Sequence, residues 1–180
     1  MVVIMKYILM LTLLLTSGAF ASEFEDTLAK AKAGLASAQS HLGYMYLVGK
    51  GIPENDAEAV KWFRKAAEQG NAIGQGNLGY MYDLGKGIPE NDAEAVKWYR
   101  KAAEQGNANA QKNLGISYGN GEGIRRNNIK AYVWYSMAKT QGEKVKNSIV
   151  NLKNLMTTRE IAQAQKLAAT CWESEFKDCD

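Results

Sequence analysis

LGYMYLVGKGIPENDAEAVKWFRKAAEQGNA, residues Leu42 to Ala72, decides how this chain folds, because it is written again from Leu78 to Ala108, thirty-six residues later. Only three positions differ between the two copies: Leu47 against Asp83, Val48 against Leu84, and Phe63 against Tyr99. A looser third copy runs from Leu114 to Gly142 and keeps step at Gly115, Gly123, Trp134 and Gly142. A fixed period in this range is the mark of a solenoid, whose units bury their apolar sides only by stacking on their neighbours.

Each unit reads as two helices around a loop. In the second, Ala59, Trp62, Phe63, Ala66 and Ala67 share one face while Glu58, Lys61, Lys65 and Glu68 take the other, which is amphipathic helical spacing. Asn55 or Asp56 is placed to cap it, Glu58 stands at capping-box distance from Asn55, and Gly70 is placed to stop it. The first helix, from about residue 36 to 46, carries Ala38, Leu42, Met45 and Tyr46 on one side and holds Gly43 in its interior. An interior glycine costs about 1 kcal/mol relative to alanine. Close packing is the expected compensation, with the Trp62 indole, Ala66 or Ala67 approaching the bare backbone. The loop from Gly49 to Pro53 supplies glycines for positive φ and a proline that ends the first helix.

The strings Leu-Gly-Tyr-Met-Tyr, Gly-Lys-Gly-Ile-Pro, Ala-Glu-Ala-Val-Lys-Trp and Lys-Ala-Ala-Glu-Gln-Gly-Asn-Ala resemble the Sel1-like repeat, a relative of the tetratricopeptide repeat. The resemblance covers about Ala36 to Gly142, as units at about 36–72, 73–108 and 109–142. It implies an all-α, right-handed α/α superhelical solenoid whose usual activity is protein binding.

The flanks read as export signal and caps. Lys6 precedes an apolar run from Tyr7 to Leu15, and Ala19-Phe20-Ala21 offers small residues to a signal peptidase, so residues 1–21 read as a cleaved signal peptide. That implies a periplasmic or secreted protein with no membrane insertion after cleavage. Residues 22–35 read as an N-terminal capping helix, with Phe24, Leu28, Ala31 and Leu35 facing the first repeat. Residues 143–180 read as two C-terminal capping helices. Val145, Ile149, Leu152 and Met156 line the first, and Ile161, Ala164, Leu167, Ala168, Cys171 and Trp172 the second, with a capping box at Thr157 and Glu160. The segment Met156 to Ala168 resembles the closing helix of many bacterial Sel1-like proteins. Cys171 and Cys179 are expected to form a disulfide, which persists outside the cytosol and stabilises by roughly 2 to 3 kcal/mol in the chain-entropy model.

Composition narrows the function. Net charge is +3, with no basic stripe interleaved with aromatics, so nucleic acid is not an expected partner. One histidine and two bridged cysteines do not make a zinc site, and no cofactor is called for. Gly119-Asn-Gly-Glu-Gly123 lacks the lysine and hydroxyl of a phosphate loop. Gly115-Ile-Ser117-Tyr-Gly119 fits the G-x-S-x-G spacing of a hydrolase nucleophile, but it falls inside a first helix, and the single histidine, His41, lies upstream. Ser136-Met-Ala-Lys139 fits S-x-x-K, although the accompanying S-D-N and K-T-G elements are missing. The carboxylates Glu54, Asp56 and Glu58, repeated as Glu90, Asp92 and Glu94, sit where helix starts favour negative charge. No catalytic residue is assigned.

The first two units, nearly identical from Leu42 and Leu78 onward, diverge at both ends of the first helix: Ser37 against Ile73, Ser40 against Gly76, His41 against Asn77, then Leu47 and Val48 against Asp83 and Leu84. In families that the repeat resembles, first helices line the concave face. Three-four spacing places these positions on one side. The expected partner-binding stripe is His41, Tyr44, Leu47, Asn77, Tyr80, Asp83, Lys112, Asn113 and Ser117. The sequence therefore reads as a non-enzymatic protein-interaction module, a periplasmic adaptor or regulator of an envelope protein. An immunity protein neutralising a toxin, such as a type VI phospholipase effector, is the alternative. A hydrolase of esterase or β-lactamase type is a third reading.

Overall fold

A computed structural model describes residues 23–177 and Cys179; the segment read as a signal peptide lies outside these residues. The described residues form helices joined by short turns and contain no strand. Helix α1 covers 23–32. It is followed by α2 (Ala36–Val48) and α3 (Asp56–Glu68), α4 (Ala72–Leu84) and α5 (Asp92–Ala103), and α6 (Ala108–Asn120) and α7 (Asn128–Thr140). Helices α8 (Lys146–Asn154) and α9 (Thr158–Glu173) close the chain. Each repeat is a packed pair, α2 on α3, α4 on α5 and α6 on α7, and each second helix packs on the next first helix. Both α8 and α9 pack on α7.

The second helices start as their sequences require. Asn55, Asn91 and Asn127 each accept a hydrogen bond from the backbone amide three residues on. The Glu58 carboxylate does not close a box with Asn55; Lys61 draws it away at 2.6 Å. At α9 the box does close, with Thr157 N donating to Glu160 at 2.8 Å and Glu160 N donating to the Thr157 hydroxyl at 3.2 Å. These backbone and side-chain hydrogen bonds hold the Glu160 carboxyl below its usual range.

The interior glycines have a different partner from the one the sequence suggests. A Cβ at Gly43 would stand 2.6 Å from the Phe63 ring, one at Gly79 2.7 Å from Tyr99, and one at Gly115 2.8 Å from Tyr135. The aromatic residue after each tryptophan therefore fills the space against the first helix. Trp62 instead joins Ala31, Ala38 and Leu42 at the α1 end, with Phe24 and Leu28 packed against them. Leu35 does not belong to that capping face: α1 has ended, and Leu35 is the exposed N-cap residue of α2. Trp172 is likewise exposed rather than buried with the rest of its helix, and meets Phe176 edge to face at 5.7 Å. The disulfide joins Cys171 to Cys179, both buried, and the turn between them sets Phe176 against Gly106.

A ladder of buried glutamines crosses the units. Gln39, Gln75 and Gln111 donate to the carbonyls of Ala31, Ala67 and Ala103 on the preceding helix at 3.1 to 3.2 Å. They accept from Gln69, Gln105 and Gln141 beyond the end of their own second helix at 2.6 to 2.8 Å. Each buried amide thus joins three segments, as burial of a polar group demands. Arg64 donates to the Tyr82 hydroxyl and Arg100 to that of Tyr118, tying second helices to the following first helices.

Candidate partner-binding face

With one side of α2, α4 and α6 committed to the core, the other side is open. It carries large apolar side chains: Tyr44 is 49% exposed, Ile73 59%, Tyr80 37% and Ile116 37%, with Val48 and Leu84 also exposed. Exposed apolar residues are ordinary singly; set along one face they mark a contact surface. A groove of about 470 Å³ runs across that face. Tyr44 and Leu47 line it from the first unit, Ile73, Asn77 and Tyr80 from the second, and Asn107, Asn109, Lys112 and Asn113 from the third. Its first-unit end is apolar and its third-unit end is rich in amides.

Of the residues expected on this stripe, Tyr44, Leu47, Asn77, Tyr80, Lys112 and Asn113 come together in the groove. His41 is exposed but stands beside the cap, 3.7 Å from Glu23, whose carboxylate also takes Lys50 at 2.7 Å. Ser117 is a correction. It is 4% exposed and donates to the Asn113 carbonyl at 3.2 Å, because it occupies the core position held by Met45 and Met81. Ile116, which aligns with Tyr44 and Tyr80, is the third unit's exposed residue. Ile73 and Asn109 also belong to this surface; divergence from Ser37 was their signal in the sequence.

Electrostatics differ along the face. Lys112 pairs with Glu143 at 2.7 Å. Asp83 is partly buried and accepts the Tyr99 hydroxyl at 3.1 Å. Burial lifts the Asp83 carboxyl above its usual range; the Tyr99 bond opposes this, while Asp92, Glu122 and Glu90 add repulsion. The Tyr99 phenol is raised by burial and then by Asp83, with hydrogen bonding from Asn113 pulling the other way. The Tyr135 phenol is raised mainly by burial, and Ser148 hydrogen-bonds to it.

The hydroxyls in hydrolase-like spacings are occupied with their own helices. Ser136 donates to the Tyr132 carbonyl at 2.8 Å, and Ser117 bonds one turn back as described, the usual behaviour of helical serines. Among the described residues, no group of three His, Cys, Asp or Glu side chains could hold a metal ion, and no helix is long and apolar enough to cross a membrane.

The Sel1 repeat family model matches residues 36–71, 72–107 and 108–143. The chain belongs to the Sel1 repeat family. Sel1 repeat proteins are protein-interaction modules and, as a family, generally non-enzymatic scaffolds. Among solved structures, the chain is similar to a protective antigen present in uropathogenic Escherichia coli strains displaying an SLR fold. The TM-score is 0.79 at 31% identity, over 87% of this chain and 34% of the antigen; this chain thus spans about a third of the antigen's length. A Sel1 repeat protein from Oxalobacter formigenes is similar at 36% identity and TM-score 0.64, over 72% of this chain and 98% of that one. Helicobacter pylori cysteine rich protein B shares the fold at 19% identity and TM-score 0.55, over 76% of this chain and 96% of that one. No curated protein matches the chain.

Proposed function

We propose that this Sel1 repeat protein is a non-enzymatic adaptor of the bacterial periplasm that holds an envelope protein along the open face of α2, α4 and α6. The observation that carries this reading is the row of exposed Tyr44, Val48, Ile73, Tyr80, Leu84 and Ile116 beside one groove. Tyrosines supply rigid, amphipathic contact area with few rotamers to freeze, which suits them to anchor an interface. Two features support the location. One is the signal-like run of residues 1–21, and the other is the Cys171–Cys179 disulfide, a bond that lasts in oxidising compartments.

Immobilised residues 22–180 should retain one stoichiometric protein from periplasmic extract. Tyr44→Ala combined with Tyr80→Ala should weaken that complex on the order of a hundredfold, since two aromatic anchors of the proposed interface are removed. Unchanged affinity in a double variant with unchanged melting would remove the face from the interface. The captured protein also assigns the role: a resident envelope protein fits an adaptor, whereas a toxin effector makes the chain an immunity protein.

A further inference from the structure

From Leu42 and Leu78 onward the first two units are near copies, and the three differences within that stretch converge on one place. Positions 47 and 83 end the exposed side of the first helix, positions 48 and 84 follow them, and positions 63 and 99 are the aromatic rings beneath. In the first unit the combination is apolar: Leu47 packs on the cluster that holds Phe63 and lines the groove. In the second it is polar and acidic: Tyr99 donates to Asp83 and also meets Asn113 of the groove wall. Two changes thus form one coupled exchange, a leucine and phenylalanine for an aspartate and tyrosine.

Satisfying the phenol does not account for the aspartate. Tyr99 needs only an acceptor, and asparagine offers one without charge. The carboxylate, partly buried beside Tyr99, is also under repulsion from Asp92, Glu122 and Glu90, an arrangement that an incoming cation would relieve. Lys112, the cation of the groove, is engaged with Glu143. The third unit offers neither group, having Gly119 at the equivalent position.

Resting on the reading of this face as partner-binding, we propose that the two units read different side chains of one partner polypeptide segment, an apolar one against Leu47 and a lysine or arginine against Asp83. Helices α2 and α4 are in contact, and packed helices lie about 8–10 Å apart. An extended polyproline-like segment rises about 3.1 Å per residue and returns to the same side every three residues. The apolar and basic residues therefore lie roughly three positions apart in the segment.

The test is a random peptide library displayed on phage and panned against the whole protein and two swap variants. Asp83→Leu with Tyr99→Phe gives the second unit the first unit's pair, and Leu47→Asp with Phe63→Tyr does the reverse. Both import residues that the chain already accommodates at the equivalent site. The wild type should enrich peptides with an apolar and a basic residue three positions apart. The first swap should exchange the basic residue for a second apolar one, and the converse swap should exchange the apolar residue for a second basic one. Replacing the basic residue of an enriched peptide by methionine should weaken wild-type binding at least about tenfold and leave the first swap unaffected. The same consensus on wild type and both swaps, with binding still lost in the Tyr44, Tyr80 double variant, would overturn this inference and leave the face assignment standing. No enrichment on folded wild type would overturn both.

Discussion

Gly87→Ala lowers the thermal midpoint by roughly 10 °C, while Gly70→Ala lowers it by only a few degrees. Both glycines are left-handed, at φ +65° and +83°, so both substitutions incur the steric cost of that region, about 1 to 2 kcal/mol. Their surroundings decide the difference. Gly70 has nothing within 4 Å of an added Cβ, whereas at Gly87 that Cβ would stand 2.7 Å from the Ala57 amide nitrogen and closer still to the Asp56 carbonyl. The obstacle is the start of α3, in the preceding unit, and backbone cannot rotate away. Overpacking adds about 1 to 3 kcal/mol. Gly123, which meets Asp92 and Ala93 in the same way, should behave like Gly87. Circular dichroism melts of the three variants check this. Equal losses at Gly87 and Gly70 would mean that the loop glycine is not the joint between units.

Trp134→Ala costs about 3 to 5 kcal/mol, the range for deleting a fully buried large aromatic, and Trp98→Ala costs substantially less. The repeat register makes these residues equivalent, but their environments are not. Trp134 is 1% exposed, in one cluster with Ala164, Ala168 and Cys171 of α9. Trp98 is only partly buried, at the edge of the cluster that α3 and α4 form between the first two units, and part of its ring is covered by Lys101 at 4.4 Å. Urea unfolding of the two variants compares the losses. The prediction fails if Trp98→Ala is the more damaging change.

Why some features are legible in the sequence and others are not follows from this contrast. Helix pairs, asparagine caps and terminal glycines recur at a fixed period and depend on local backbone chemistry, so the text carries them. The partner of Gly43 depends on the crossing of α2 and α3. Trp62 and Phe63 are neighbours on one helix, and only that crossing turns Phe63 toward the glycine. His41 stands beside the cap because α1 brings Glu23 to it, a contact with no counterpart in the later units. Ser117 looks like a surface residue by type; its register with Met45 and Met81 marks it as core. The glutamine ladder escapes composition for the same reason, although Gln39, Gln75 and Gln111 keep the period.

The face is best tested by hydrogen exchange on the complex with the captured periplasmic protein. Binding should slow amide exchange in α2 and α4, and at the start of α6 around Asn109 to Asn113, while α3, α5 and α7 remain as in the free chain. Slowing confined to α3, α5 and α7, with Tyr44 and Tyr80 helices unchanged, would contradict the assignment of the partner to the open face.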